Sequence, residues 1–143
     1  MATERTASAV WQGDLINGSG TIEKVGSGAV GPLDVTWASR SEEPNGRTSP
    51  EELIAAAWAS CFAMALSNGL AKAGTPPEKL ETSATVTFQP GEGITRGVLT
   101  VRGTVTGLDA DGFQAAAEDA KQNCPVSKAL AGIPDVTLQA QLA

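Results

Sequence analysis

Histidine is absent from this sequence, and so is tyrosine. Without histidine there is no Ser–His–Asp or Cys–His pair, no HExxH zinc motif and no imidazole base. Any chemistry must run on cysteine, carboxylate, lysine, arginine or hydroxyl groups. Cysteine is scarce as well, with only Cys61 and Cys124 present. Two thiols with no imidazole cannot fill an ordinary structural zinc site, so no metal is expected. Lys and Arg together number 10 against 16 Asp and Glu, for a net charge of −6. Phosphate contacts need clustered basic residues, so nucleic-acid binding is disfavoured. No GxGxxG or P-loop motif is present, and no cofactor is expected. Residues Met1 to Thr6 have no apolar stretch after a basic start, which excludes the usual signal-peptide pattern. The longest apolar run, Leu53 to Leu66, is shorter than the ~20 residues of a membrane helix. A soluble, cytoplasmic protein without a membrane partner is the expectation.

The 143 residues suit one domain, 1–143, and 41% hydrophobic with 18% charged residues is a globular balance. With 16 Gly and 8 Pro, turns should be frequent. Short strands are expected at Ala7–Trp11, Thr21–Val25 and Leu33–Trp37, followed by a polar loop, Ser39–Thr48, that holds Arg40 and Arg47. Ser49-Pro50-Glu51-Glu52 then reads as a helix start, with Ser49 as N-cap, Pro50 at the first helical position and Glu52 closing a capping box. No residue from Leu53 to Ala71 is charged, and Gly74 with Pro76-Pro77 ends the helix. A helix without a water-facing stripe should be buried on nearly every side, which a second copy of the chain could provide. Ala84, Val86 and Phe88 alternate with threonines, and Val98–Thr106 reads as another strand. Asp109 can cap a helix to Asn123, Pro125 should break it at Cys124, and a short helix should restart through Leu130. Val136–Leu142 closes the pattern. The order βββ-α-ββ-α-β indicates an α+β fold.

Free cysteine is among the most buried residue types, so inert packing is the plain reading of both thiols. Their settings argue otherwise. Cys61 lies inside the uncharged helix, where apolar surroundings raise a thiol pKa, so an active thiolate would need a cation. Arg40 or Arg47 could supply one, held by Glu51 or Glu52; Glu51 is the residue left over by the capping box. Cys124 sits at a helix start beside Pro125, with Lys128 nearby, a setting that lowers thiol pKa and permits local movement. Trp58, Phe62 and Met64 could line an apolar pocket around Cys61, but a core would use the same residues.

Arg40, the run Thr48-Ser49-Pro50-Glu51-Glu52-Leu53-Ile54-Ala55-Ala56-Ala57, the run Ala59-Ser60-Cys61-Phe62-Ala63-Met64-Ala65-Leu66 and Asn123-Cys124-Pro125-Val126-Ser127-Lys128 together resemble the osmotically inducible protein C (OsmC) family, grouped with the organic hydroperoxide resistance (Ohr) proteins. The likeness covers essentially the whole chain in element order. It implies an OsmC-like fold and a tightly intertwined homodimer with the long helices at its centre. It further implies a thiol-dependent peroxidase, with Cys61 as peroxidatic cysteine, Cys124 as resolving cysteine, Arg40 as active-site arginine and Glu51 as its carboxylate partner. An arginine shortly before the long helix is the OsmC arrangement, whereas Ohr proteins carry theirs in the early strands. Trp58 departs from the family pattern, which often has histidine there. The substrates so implied are organic hydroperoxides, with hydrogen peroxide a lesser one, and the reductant is a dithiol of lipoyl type. A non-catalytic redox sensor and a small-ligand binding protein are the alternatives on the same fold.

Overall fold

A computed structural model describes all residues, 1–143. The chain divides into two compact units, Met1–Glu51 and Glu52–Ala143. The fold is α+β throughout, as expected.

In the first unit, β1 (Ala9–Gln12), β2 (Ser19–Ile22) and β3 (Leu33–Val35) form an antiparallel sheet in that order. The β1–β2 turn is closed by Asp14, whose Oδ1 accepts from Asn17 N at 2.6 Å, while Gly13 takes the left-handed φ of +88° that the reversal needs. After β3 the chain does not enter a loop at once. Residues Trp37–Ser41 form a short helix, α1, so Arg40 lies on a helical turn and not in the loop anticipated for Ser39–Thr48. Thr36 caps it reciprocally: Ser39 N donates to Thr36 Oγ1 at 3.0 Å and Thr36 N donates to Ser39 Oγ at 2.9 Å. The same serine hydroxyl donates to the Thr48 carbonyl at 2.9 Å, which anchors the far end of the following loop.

The second unit is built on α2 (Pro50–Lys72), a helix of 23 residues whose first two lie in the other unit. It ends where Gly74 adopts φ +90° and Thr75 N donates back to the Leu70 carbonyl at 2.9 Å, a left-handed stop that glycine makes cheaply. At this length and composition α2 could cross a membrane, contrary to the shorter run counted from the sequence. One side of it packs as a core helix does. Trp58, Phe62, Leu66 and Leu70, four residues apart, form a fully buried stripe. Burying each such side chain contributes about 1.5–3 kcal/mol. The opposite side, with Ala56, Ala57, Ser60 and Met64, is exposed in the single chain, so burial on every side is not met within one copy.

The stripe packs on a sheet of β4 (Lys79–Gln89), β5 (Gly93–Thr104) and β6 (Asp135–Leu142), ordered β4-β5-β6. β4 and β5 are an antiparallel hairpin; β6 runs parallel to β5, reached through α3 (Ala110–Asn123) and α4 (Pro125–Ala129). The core face of β5 reads Gly97, Leu99, Val101, Gly103. The two glycines make room for rings: a Cβ on Gly97 would lie 2.5 Å from Trp58 Cζ3, and one on Gly103 would lie 2.5 Å from Phe113 Cζ. One strand thus receives an aromatic ring from α2 at one end and from α3 at the other.

Candidate active site

Pro125 shapes the site around Cys124. Its ring disfavours helical geometry in the preceding residue, and Cys124 accordingly has φ −56° and ψ 128°. Cys124 is the C-cap of α3, donating its N–H to the Ala120 carbonyl at 2.9 Å, and the N-cap of α4, with its carbonyl accepting from Lys128 N at 3.0 Å. The side chain is fully buried. Its Sγ lies 2.9 Å from Sγ of Cys61, which sits half-buried on α2 three residues after Trp58. Both are free thiols.

Burial pushes the Cys61 thiol pKa up, and the adjoining Cys124 sulfur raises it further; the backbone N–H of Val126, in the first turn of α4, opposes them. Another contact joins the two helices nearby. Trp58, 1% exposed, donates from Nε1 to Ser127 Oγ at 2.7 Å.

Arg40 and Glu51 meet in the first unit. Nη2 of Arg40 donates to Oε1 of Glu51 at 2.8 Å, and Nε donates to Oε1 at 3.0 Å and Oε2 at 3.2 Å. This is a fork geometry that lysine could not reproduce. Glu51 is buried in the first turn of α2, where a negative charge also suits the helix dipole. Arg40 borders an apolar cleft of about 340 Å³ lined by Trp11, Leu15, Val35, Thr36, Trp37 and Pro50.

Of the four residues singled out from the sequence, Cys61 meets Cys124 and Arg40 meets Glu51. Of the residues that could serve either a pocket or the core, Trp58 and Phe62 are core, and Met64 is 67% exposed. Ser127 and the Val126 N–H were missed. The signal for Ser127 was the indole of Trp58, because a buried Trp N–H needs an acceptor. No group of three or more His, Cys, Asp or Glu side chains is placed to hold a metal ion.

An α+β fold that sets two free thiols in contact across a helix break defines a dithiol protein. A model of the OsmC-like protein family matches residues 43–139. The chain is 38% identical over 145 residues to the peroxiredoxin OsmC of Escherichia coli K12, with 99% of each chain covered. Over 123 residues it is 35% identical to the organic hydroperoxide resistance protein OhrA of Bacillus subtilis 168, covering 80% of this chain and 84% of that one. Among solved structures it resembles an organic hydroperoxide resistance protein OsmC from Legionella pneumophila, with a TM-score of 0.69 at 27% identity over 95% of this chain and 96% of that one. The chain belongs to the OsmC-like protein family.

Proposed function

We propose that this protein is a cysteine-based peroxidase that reduces organic hydroperoxides, with hydrogen peroxide a poorer substrate. The observation that carries the reading is the 2.9 Å approach of two free thiols, one of them at a break between helices. The names of its relatives, peroxiredoxin OsmC and organic hydroperoxide resistance protein, support the substrate class.

The Cys61 thiolate attacks one peroxide oxygen. The O–O bond breaks, the other oxygen leaves as an alcohol after taking a proton, and the sulfur is oxidised to a sulfenic acid. The Cys124 sulfur then attacks the sulfenic sulfur, forming an S–S bond as the S–O bond breaks and water departs. A dithiol, of lipoyl type, reduces the disulfide by exchange and is itself oxidised. Burial alone holds the Cys61 thiol protonated, so the first step calls for a cation. Arg40 fills that role, oriented by Glu51, in a homodimer whose assembly covers the exposed side of α2. Residues 1–143 act in this reading as one OsmC-like domain, in the cytoplasm.

Peroxide consumption with several hydroperoxides and several dithiols tests the reading. Many equivalents consumed per subunit are expected with a dithiol present. Consumption of about one equivalent whatever the dithiol would make the protein a stoichiometric redox sensor.

A further inference from the structure

We propose that Trp58 and Ser127 are positioning residues for the resolving step, holding α4 against α2 so that Cys124 stays within bonding reach while Cys61 is a sulfenic acid. The inference rests on the peroxidase reading above.

α4 is a single short turn that contains no fully buried residue and has no side-chain cap. Two polar contacts join it and its N-cap to α2, beside the apolar packing of Val126 on the core. The Cys124 and Cys61 sulfurs approach to 2.9 Å, and Trp58 Nε1 donates to Ser127 Oγ at 2.7 Å. The first ends on the sulfur that peroxide converts. Once Cys61 carries an oxygen, that contact must rearrange. The Trp58–Ser127 bond is the polar contact whose partners keep their chemistry through the cycle.

Its placement suits the task. Trp58 and Cys61 are three residues apart on α2 and so share a face; Cys124 and Ser127 are three apart at the start of α4. The indole–hydroxyl bond therefore runs beside the sulfur pair. The anchor is also stiff. Trp58 is 1% exposed, and its ring lies so close to Gly97 that a Cβ there would come within 2.5 Å of Cζ3. An indole N–H this buried, left without its acceptor, would keep the full cost of its desolvation, which opposes any drift of α4.

In the resolving step the Cys124 sulfur attacks the Cys61 sulfenic sulfur. The S–S bond forms, the S–O bond breaks, and the departing hydroxide leaves as water with the thiol proton. Attack of this kind is sensitive to placement: an ångström of misalignment can cost on the order of 100-fold in rate. Losing the clamp should slow this step and leave the preceding one alone.

The experiment uses the full-length protein, reduced, then mixed with one equivalent of an organic hydroperoxide. Peroxide loss reports the first step; disulfide formation and trapping of sulfenic acid by a dimedone-type reagent report the second. Ser127→Ala should consume peroxide at the wild-type rate, form the disulfide roughly tenfold more slowly or worse, and give more trapped Cys61. Ser127→Thr, which keeps the hydroxyl, should restore the disulfide rate. Trp58→Phe should behave as Ser127→Ala, and the double variant should be no worse than either single one. Should Trp58→Phe fail to fold, the serine pair decides alone. Folded Ser127→Ala protein that forms disulfide at the wild-type rate, or equal slowing in Ser127→Thr, would overturn the inference and leave the peroxidase reading intact. Wild-type protein that neither consumes peroxide nor forms a sulfenic acid would overturn both.

Discussion

Glu51 is nearly enclosed, with 6% of its side chain exposed, whereas the Arg40 that grips it keeps 34% of its own side chain in reach of solvent. The carboxylate is thus the fixed member and the guanidinium the presented one. That asymmetry suits an arginine whose charge serves a group other than its partner. Arg40→Ala should shift alkylation of Cys61 to higher pH and slow peroxide reduction by at least tenfold, whereas Arg47→Ala should change little. Because the buried carboxylate loses charged donors, stability should also fall, by about 1–3 kcal/mol, reduced by the exposure of the arginine. Alkylation rates against pH, with peroxidase assays on both variants, check the assignment. Equal effects at Arg40 and Arg47 would refute it.

The raised Cys61 pKa makes a separate statement about stability. A thiol that loses its proton less readily in the folded chain than in the unfolded one binds that proton more tightly when folded. Its contribution is present in full below the unfolded thiol pKa and is lost as pH rises from there through the raised folded value. In the Arg40→Ala background, where no arginine offsets burial, urea midpoints should therefore decline across the alkaline thiol range. Adding Cys61→Ser should remove that part of the decline. A decline of the same size with and without the Cys61 thiol would rule out burial as its source.

Gly97 is a tight point of the core, as Gly103 is at the other end of β5. A methyl group there would meet two carbons of the Trp58 ring, Cζ3 and Cη2, at 2.5 and 2.6 Å. The ring cannot yield freely while its Nε1 is bonded to Ser127. Gly97→Ala should cost about 1–3 kcal/mol by overpacking, read as a lower urea midpoint at unchanged slope. An unaltered midpoint would mean that the ring has somewhere to go.

Most of the fold was legible in the sequence, and the failures have physical causes. β4 starts at Lys79, well before the alternation of Ala84, Val86 and Phe88 declares it. Thr82 sits on its inward-facing side, and its hydroxyl donates to the Ala59 carbonyl at 3.0 Å. A polar residue on the core side interrupts the pattern that marks a strand. α1 escaped notice because its capping box closes on Ser39 where the familiar pattern has Glu or Gln. In α2 the absence of charge was plain, but a pattern of apolar residues cannot say which face its own chain covers and which is left for another. The motif around Cys124 was readable through Pro125 alone, since its effect on the preceding residue is local. The Trp58–Ser127 bond spans 69 residues of sequence, and no local signal places its two ends together.

The uncovered side of α2 leads to a prediction about assembly. Ala56, Ala57, Ser60 and Met64 are exposed on a helix without charge between Leu53 and Ala71, and Met64 stands 67% open to solvent. A face of this kind against a second copy would form an obligate interface, commonly on the order of 2,000–5,000 Å². Sedimentation should show a dimer that persists at micromolar protein. Met64→Asp, which would bury a charge there, should dissociate or unfold it. A stable, folded wild-type monomer at that concentration would refute the dimer.

The two cysteines should fail differently when removed. Cys61 is half-buried on a long helix, and Cys124 is buried at a helix break; the two sulfurs are in contact in the reduced protein. Cys61→Ser should abolish peroxide reduction at the first encounter, because no thiolate remains to attack the O–O bond. Cys124→Ser should consume about one equivalent and stall as a sulfenic acid, open to further oxidation by excess peroxide. Mass analysis after trapping should find the label on Cys61 alone, and mainly in the Cys124→Ser protein. In the wild type, peroxide should instead leave an intramolecular Cys61–Cys124 disulfide, since the sulfurs need little movement to bond. Label on Cys124 in place of Cys61 would reverse the roles. Full activity in both single variants would return the pair to inert packing, and the contact between the sulfurs would then be an accident of the core.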